Sequence, residues 1–105
     1  MLTLLIQLIA GHALADFPLQ GEFLANAKNP NTDLGKDKWI LCLLYHATIH
    51  GVIVTMLTNN PILGLAEITI HFCTDLLKCK SIITFNQDQF IHIGCKILWA
   101  LMTLR

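Results

Sequence analysis

Long apolar runs alternate with short polar interruptions along this chain, and the runs are too long for strands: Leu2–Phe17, Trp39–Thr58, Ile62–Leu77 and Gln87–Leu104. Each approaches the roughly 17–25 residues that an α-helix needs to cross hydrocarbon. The pattern predicts an all-α fold, a four-transmembrane-helix antiparallel bundle in which residues 1–105 form a single integral membrane domain. The first and third runs are short, as expected of helices that end among headgroups or in a thinned bilayer. Breakers fall between the runs: Pro18 after the first, Asn59-Asn60-Pro61 after the second, Lys78 and Lys80 at the end of the third. The links after the second and third runs are brief, which makes consecutive helices antiparallel neighbours. Trp39 and Trp99 stand near helix ends, where interfacial anchors are common.

The connection Pro18–Lys38 breaks the regularity. Leu19, Phe23 and Ala27 recur there at helical spacing among Gln20, Glu22, Asn26 and Lys28, which predicts a short interfacial helix between the first two spans, followed by an Asn/Pro/Gly turn region. It reads either as a surface loop or as a lid over a site on that side.

Composition sharpens the picture. With 54% hydrophobic and only 13% charged residues, the chain is far more apolar than an ordinary soluble domain, and membrane lipid is the expected partner. Seven basic and seven acidic residues cancel, so no basic surface points to nucleic acid. Lys28, Lys36 and Lys38 lie in the first link, Lys78 and Lys80 in the third, and none in the second. The positive-inside rule then places links one and three in the cytoplasm and both termini outside, an orientation that Arg105 opposes mildly. Cys42, Cys73, Cys79 and Cys95 form no C-x-x-C pair and read as reduced packing residues. Cys42 precedes His46 by four and Cys79 follows Asp75 by four, so each can extend a ligand stripe. The run Thr3–Ala10 before Ala13-Leu14-Ala15 mimics a signal peptide, but it has no positive n-region, and cleavage after Ala15 would discard His12.

The candidate chemistry lies in polar pairs set into the apolar runs: His12/Asp16, His46/His50, His71/Asp75 and Asp88/His92. Residues four apart share a helix face, so each pair can grip one inward ion. Chance would yield about one such pair among this chain's His and Asp residues; a fifth, Asp33/Asp37, falls in the polar loop. On the antiparallel topology all eight residues reach the cytoplasmic half. Asp16, His46, Asp75 and Asp88 form an outer layer, with His12, His50, His71 and His92 deeper. Beyond them Glu67 and Lys96 are expected to pair within the membrane, or Glu67 to support His71.

Polar groups in a membrane can serve merely as hydrogen-bonding glue, yet three carboxylates and five imidazoles are costly for that purpose and mark a functional site. Eight ligands suit two divalent ions. Mixed imidazole and carboxylate favours Zn²⁺, then Fe or Mn, over Mg²⁺ or Ca²⁺. One of Asp16, Asp75 and Asp88 left free of metal would serve as general base, with Lys78 and Gln89 at the level of a substrate phosphate.

At these residues the chain resembles a family of small bacterial and phage membrane proteins known as domain of unknown function 3307. The resemblance rests on His12-Ala-Leu-Ala-Asp16-Phe-Pro-Leu-Gln20, His46-Ala-Thr-Ile-His50-Gly51, His71-Phe-Cys-Thr-Asp75-Leu-Leu-Lys78 and Asp88-Gln-Phe-Ile-His92. The His/Asp pattern is also similar to that of membrane-bound metal-dependent hydrolases. Such likeness implies a multi-span bacterial or phage metalloprotein without dictating its reaction.

The leading expectation is therefore a metal-dependent hydrolase acting at the cytoplasmic face of the bacterial inner membrane, on a phosphoester or ester of a lipid or other amphipathic molecule. The alternatives are a metal or proton transporter, a membrane di-iron oxidase, and a non-enzymatic phage–host interaction protein. The outer helix halves, such as Leu4–Ile9 and Val52–Leu57, are mostly apolar, which argues against a continuous pore. Gly11, Gly51 and Gly94 offer close helix contacts for a homo-oligomer, with no face marked for it.

Overall fold

Local chemistry places the helix ends. In the computed structural model, which describes residues 1–104, α1 spans Leu2–Asp16, α2 Gly21–Ala27, α3 Trp39–Thr58, α4 Pro61–Cys79 and α5 Phe85–Thr103. Pro18 follows the end of α1, and Gly21 opens α2 at φ +69°, a conformation that glycine adopts without a Cβ clash. Asn59 closes α3 in the left-handed region at φ 53°, where Asn is among the best-tolerated non-glycine residues. Asn60 then caps α4 by accepting the Ile62 N–H, with Pro61 in the first turn. Thr84 and Gln87 form a capping box at the start of α5. This Thr-x-x-Gln signature begins α5 at Phe85, earlier than the expected Gln87. Arg105 lies outside the described residues.

The described residues hold five helices and no strand. The long helices α1, α3, α4 and α5 surround one core, α1 packing on α3 and α5, and α4 on the other sides of the same two. Consecutive long helices run antiparallel: Asp16 meets His50 while Gly11 meets Ile53, and Gly51 faces Gly64. The short α2 lies against α3, where a short helix after the first run was expected.

α3 is the one described helix long and apolar enough by itself to cross a membrane; α1 and α2 meet that standard only as a pair bent by 81°. Four separate spans do not follow from length and composition, and the reason is chemical. α1 has 15 residues, α4 carries Glu67, Asp75 and Lys78, and α5 opens on Asn86-Gln87-Asp88-Gln89 and includes Lys96. Yet Glu67, Asp75, Asp88 and Lys96 are all buried, while Ile62, Leu65, Phe90, Ile97 and Leu101 point outward. The four long helices thus turn most of their ionisable side chains inward and many large apolar ones outward, whereas α2 exposes Glu22 and Asn26.

An apolar cluster of Leu8, Val54, Leu63, Trp99 and Ala100 fills the core at one end. Trp99 is thus a core residue and not an interfacial anchor, and Trp39 is half-buried. Gly11 and Gly51 contact neighbouring helices of the same chain, whereas Gly94 faces open space. α3 and α4 meet most closely at Gly51 and Gly64, where a Cβ on Gly64 would stand 2.8 Å from the Gly51 carbonyl oxygen. Backbone cannot yield as a side chain can. Gly64→Ala is therefore expected to cost about 1–3 kcal/mol by overpacking, read as a lower unfolding midpoint in detergent, whereas Gly94→Ala leaves the midpoint unchanged or raises it.

Candidate metal centre

The four-residue spacings turn their side chains inward as the helical period demands. His12 and Asp16 on α1, His46 and His50 on α3, His71 and Asp75 on α4, and Asp88 and His92 on α5 are all buried. Five imidazole rings form one cluster, with His50 on His71 at 3.7 Å between centroids and His71 on His92 at 4.1 Å.

Asp16 is the hub of this cluster. Its Oδ1 lies 2.9 Å from His50 Nε2, 3.2 Å from His46 Nε2 and 3.8 Å from His71 Nε2, and its Oδ2 lies 3.3 Å from His12 Nε2. Gln89 Nε2 donates to the same Oδ2 at 2.9 Å, and Gln20 Nε2 donates to the Asp16 carbonyl. The short turn after α1 thus returns to fix the helix end that carries the hub.

Asp16, His46, His50 and His71 each offer one ligand atom, and these atoms lie within 4.8 Å of one another. Ligands held about 2.0–2.2 Å from a Zn²⁺-sized ion stand about 3–3.5 Å apart, so the Asp16–imidazole distances fit an ion with little rearrangement. The hydrogen-bonding pattern supports the same conclusion. Neither ring nitrogen of His46 or His71 makes a hydrogen bond, although both rings are wholly buried. Unsatisfied buried polar atoms are costly, and a metal ion would satisfy the Nε2 of both.

A second group, Glu67, His71 and His92, has ligand atoms equally close together and shares His71 with the first. Its carboxylate is already engaged: Lys96 Nζ donates to Glu67 Oε1 at 2.7 Å and Trp99 Nε1 donates to the same oxygen at 2.8 Å. Glu67 Oε2 faces His71 Nδ1 at 3.3 Å. Glu67 thus pairs with Lys96 through one oxygen and approaches His71 with the other, without a hydrogen bond to the ring.

The remaining polar residues stand outside both groups. Asp75 Oδ2 accepts from Lys28 Nζ at 2.6 Å, and Lys78 Nζ is 3.2 Å from Asp75 Oδ1. His46 Nε2 lies 3.4 Å from the same Oδ2. Asp88 accepts from His92 Nε2 at 3.1 Å and from Gln89 Nε2 at 3.2 Å. Gln89 Oε1 accepts from His12 Nε2 at 2.9 Å, so Gln89 bridges Asp16, Asp88 and His12. Cys79 Sγ stands 4.0 Å from Asp75 Oδ1, and neither Cys79 nor Cys42 enters a metal group.

Two participants escape a reading of the sequence. Trp99 follows Lys96 by three and His92 by seven, on the same stripe, and that spacing was the available signal. Lys28 counts in the sequence with Lys36 and Lys38 among the first-link lysines that set the orientation, but it is 3% exposed and pairs with a residue 47 positions away. Only folding brings those two together.

The family profile described as "Protein of unknown function (DUF3307)" matches residues 4–105. The chain belongs to that family. No curated protein and no solved structure matches it. The match covers all four His/Asp pairs and every helix but the first two residues of α1, so the polar core lies entirely within the family domain.

Proposed function

We propose that the chain is a multi-pass integral membrane metalloprotein of the bacterial inner membrane, hydrolysing a phosphoester or ester of a lipid or other amphipathic molecule at the cytoplasmic face. The observation that carries this reading is the convergence of four imidazole Nε2 atoms on the buried Asp16, two of them on rings without any hydrogen bond.

Support for the membrane comes from the inverted burial. Helices of 19–20 residues rise about 28–30 Å, close to the roughly 30 Å of a hydrocarbon core. With Lys28 buried, the proposed orientation rests on Lys36, Lys38, Lys78 and Lys80, which flank the α1–α3 and α4–α5 links.

We place a single ion on Asp16, His46, His50 and His71, in place of the two expected from eight ligands, because the second group shares His71 and its Glu67 is committed to Lys96 and Trp99. Three nitrogens and one oxygen suit Zn²⁺ first, then Fe or Mn. A divalent ion there supplies Lewis acidity toward water and a scissile oxygen. Glu67 Oε2, 3.3 Å from His71 Nδ1, would accept from that ring once an ion held its Nε2. With Asp16 a ligand and Asp75 paired to two lysines, Asp88 is the carboxylate left to take a proton, and Gln89 holds it toward Asp16.

A transporter is disfavoured by the apolar cluster of Leu8, Val54, Leu63, Trp99 and Ala100 in the core, which offers a permeating ion no ligand. A di-iron oxidase is disfavoured by the single unencumbered donor set.

Elemental analysis of detergent-purified protein is expected to find about one ion per chain, matching the single four-ligand set. The loaded protein is expected to hydrolyse bis(p-nitrophenyl) phosphate or a short-chain phospholipid, and Asp88→Asn to lose turnover while keeping its metal. Absence of stoichiometric metal in the wild type would sink the reading.

A further inference from the structure

We infer that the cavity at the start of α3 binds the headgroup of an anionic phospholipid carrying one net negative charge. The inference rests on the membrane location proposed above and not on the metal centre.

The cavity has a volume of about 390 Å³, within the roughly 300–1,000 Å³ usual for small-ligand sites. It has room for a headgroup but not for a whole phospholipid. Its polar part is formed by Lys36, Asp37 and Lys38. Lys38 Nζ stands 3.3 Å from Asp37 Oδ1, and the Asp37 side chain is 73% exposed. So exposed a pair contributes little, and a phosphate can replace the carboxylate as partner of the lysine. Among the described residues, Lys36 has no acidic group within ion-pair distance. Two ammonium groups against one carboxylate leave a single positive charge, which a monoanion matches.

The apolar part of the lining says what carries that anion. Ile40, Leu41 and Leu44 complete the cavity with Trp39, and all three aliphatic side chains are exposed. At positions i, i+1 and i+4 they share one face of the helix. That face descends from the lysines along α3, the one described helix long and apolar enough by itself to cross a membrane. A soluble anion would leave these side chains uncovered. A phospholipid covers them with its acyl chain while its phosphate meets the lysines. Trp39, half-buried, joins the charged and aliphatic parts, at the level where aromatic rings favour the boundary between headgroups and hydrocarbon.

The test uses the full-length protein in phosphatidylcholine vesicles that carry, at one mole fraction, either phosphatidylglycerol or phosphatidylcholine brominated on its acyl chains. Bromine quenches indole fluorescence on contact, and the difference between the wild type and Trp39→Phe isolates Trp39 from Trp99, the only other tryptophan. Brominated phosphatidylglycerol is expected to quench Trp39 with about fivefold higher affinity than brominated phosphatidylcholine, the effect of one net positive charge beside an anionic headgroup. Lys36→Gln/Lys38→Gln is expected to abolish that preference. Lys80→Gln, at an exposed lysine outside the cavity, is expected to keep it, and so is treatment with a metal chelator. Equal quenching by the two lipids, an unchanged preference in the double variant, or an equal loss in Lys80→Gln overturns the site. Loss of the preference with the chelator would put the anion at the metal centre, and recovery of fluorescence on adding glycerophosphoglycerol, the headgroup without chains, would assign the cavity to a soluble diester; either overturns it. No quenching of Trp39 by either lipid overturns the membrane location itself.

Discussion

Asp16→Asn is expected to abolish stoichiometric metal binding, whereas Asp88→Asn retains it. Asp16 is the sole carboxylate of the four-ligand set and the point on which His46, His50 and His71 converge. Protein sites of four ligands bind zinc with about 10–16 kcal/mol, so one ligand carries about a quarter, or several hundred-fold in affinity. Asn keeps the shape and removes the charge, leaving three imidazoles to gather around a neutral amide. Asp88 belongs to neither metal group and accepts only from His92 and Gln89. Its loss should change affinity less than tenfold, the low end of effects from groups that only support ligands. Competition with a metal chelator, run on both variants beside the wild type, measures the contrast. Equal loss in the two would show that the centre does not have Asp16 as its hub.

Lys96→Met is expected to be the most destabilising single change in the core. Glu67 and Lys96 are each 1% exposed, and Lys96 Nζ stands 2.7 Å from Glu67 Oε1. Removing one partner of a buried pair leaves an uncompensated charge and costs about 3–5 kcal/mol. Trp99 still donates to Glu67 but brings no charge. The double variant Glu67→Gln/Lys96→Met removes both charges and should recover much of the loss, which thermal unfolding in detergent would measure. A double variant no more stable than the single one would mean that Lys96 acts through packing of its stem and not through its charge.

These two predictions draw on different parts of what the sequence made legible. Helix number and placement followed from the apolar runs and their breakers. Pro18 and Asn59-Asn60-Pro61 act through local backbone geometry, which neighbouring residues dictate, whereas the apolar pattern does not reveal the Thr84 cap that starts α5 at Phe85. The inward direction of His12/Asp16 and its three companion pairs followed from the helical period alone. Trp99 was misplaced because an aromatic near a helix end is equally at home at an interface or in a core, and only the Glu67 carboxylate on a neighbouring helix decides between them. Gly11 and Gly51 likewise serve contacts inside the chain, because α3 happens to cross α1 and α4 at those points.

The paired His and Asp residues, their helices and their inward direction were determined by the sequence itself, since spacing along a helix converts directly into direction around it. The division of labour among the carboxylates was decided only by tertiary structure. Four similar acids occupy one core, and their roles diverge through partners contributed by other helices: imidazoles around Asp16, Lys96 on Glu67, Lys28 and Lys78 on Asp75, and Gln89 on Asp88. Lys28 reaches across 47 positions to do so. No local pattern encodes such a contact, because it depends on where α2 folds back relative to α4.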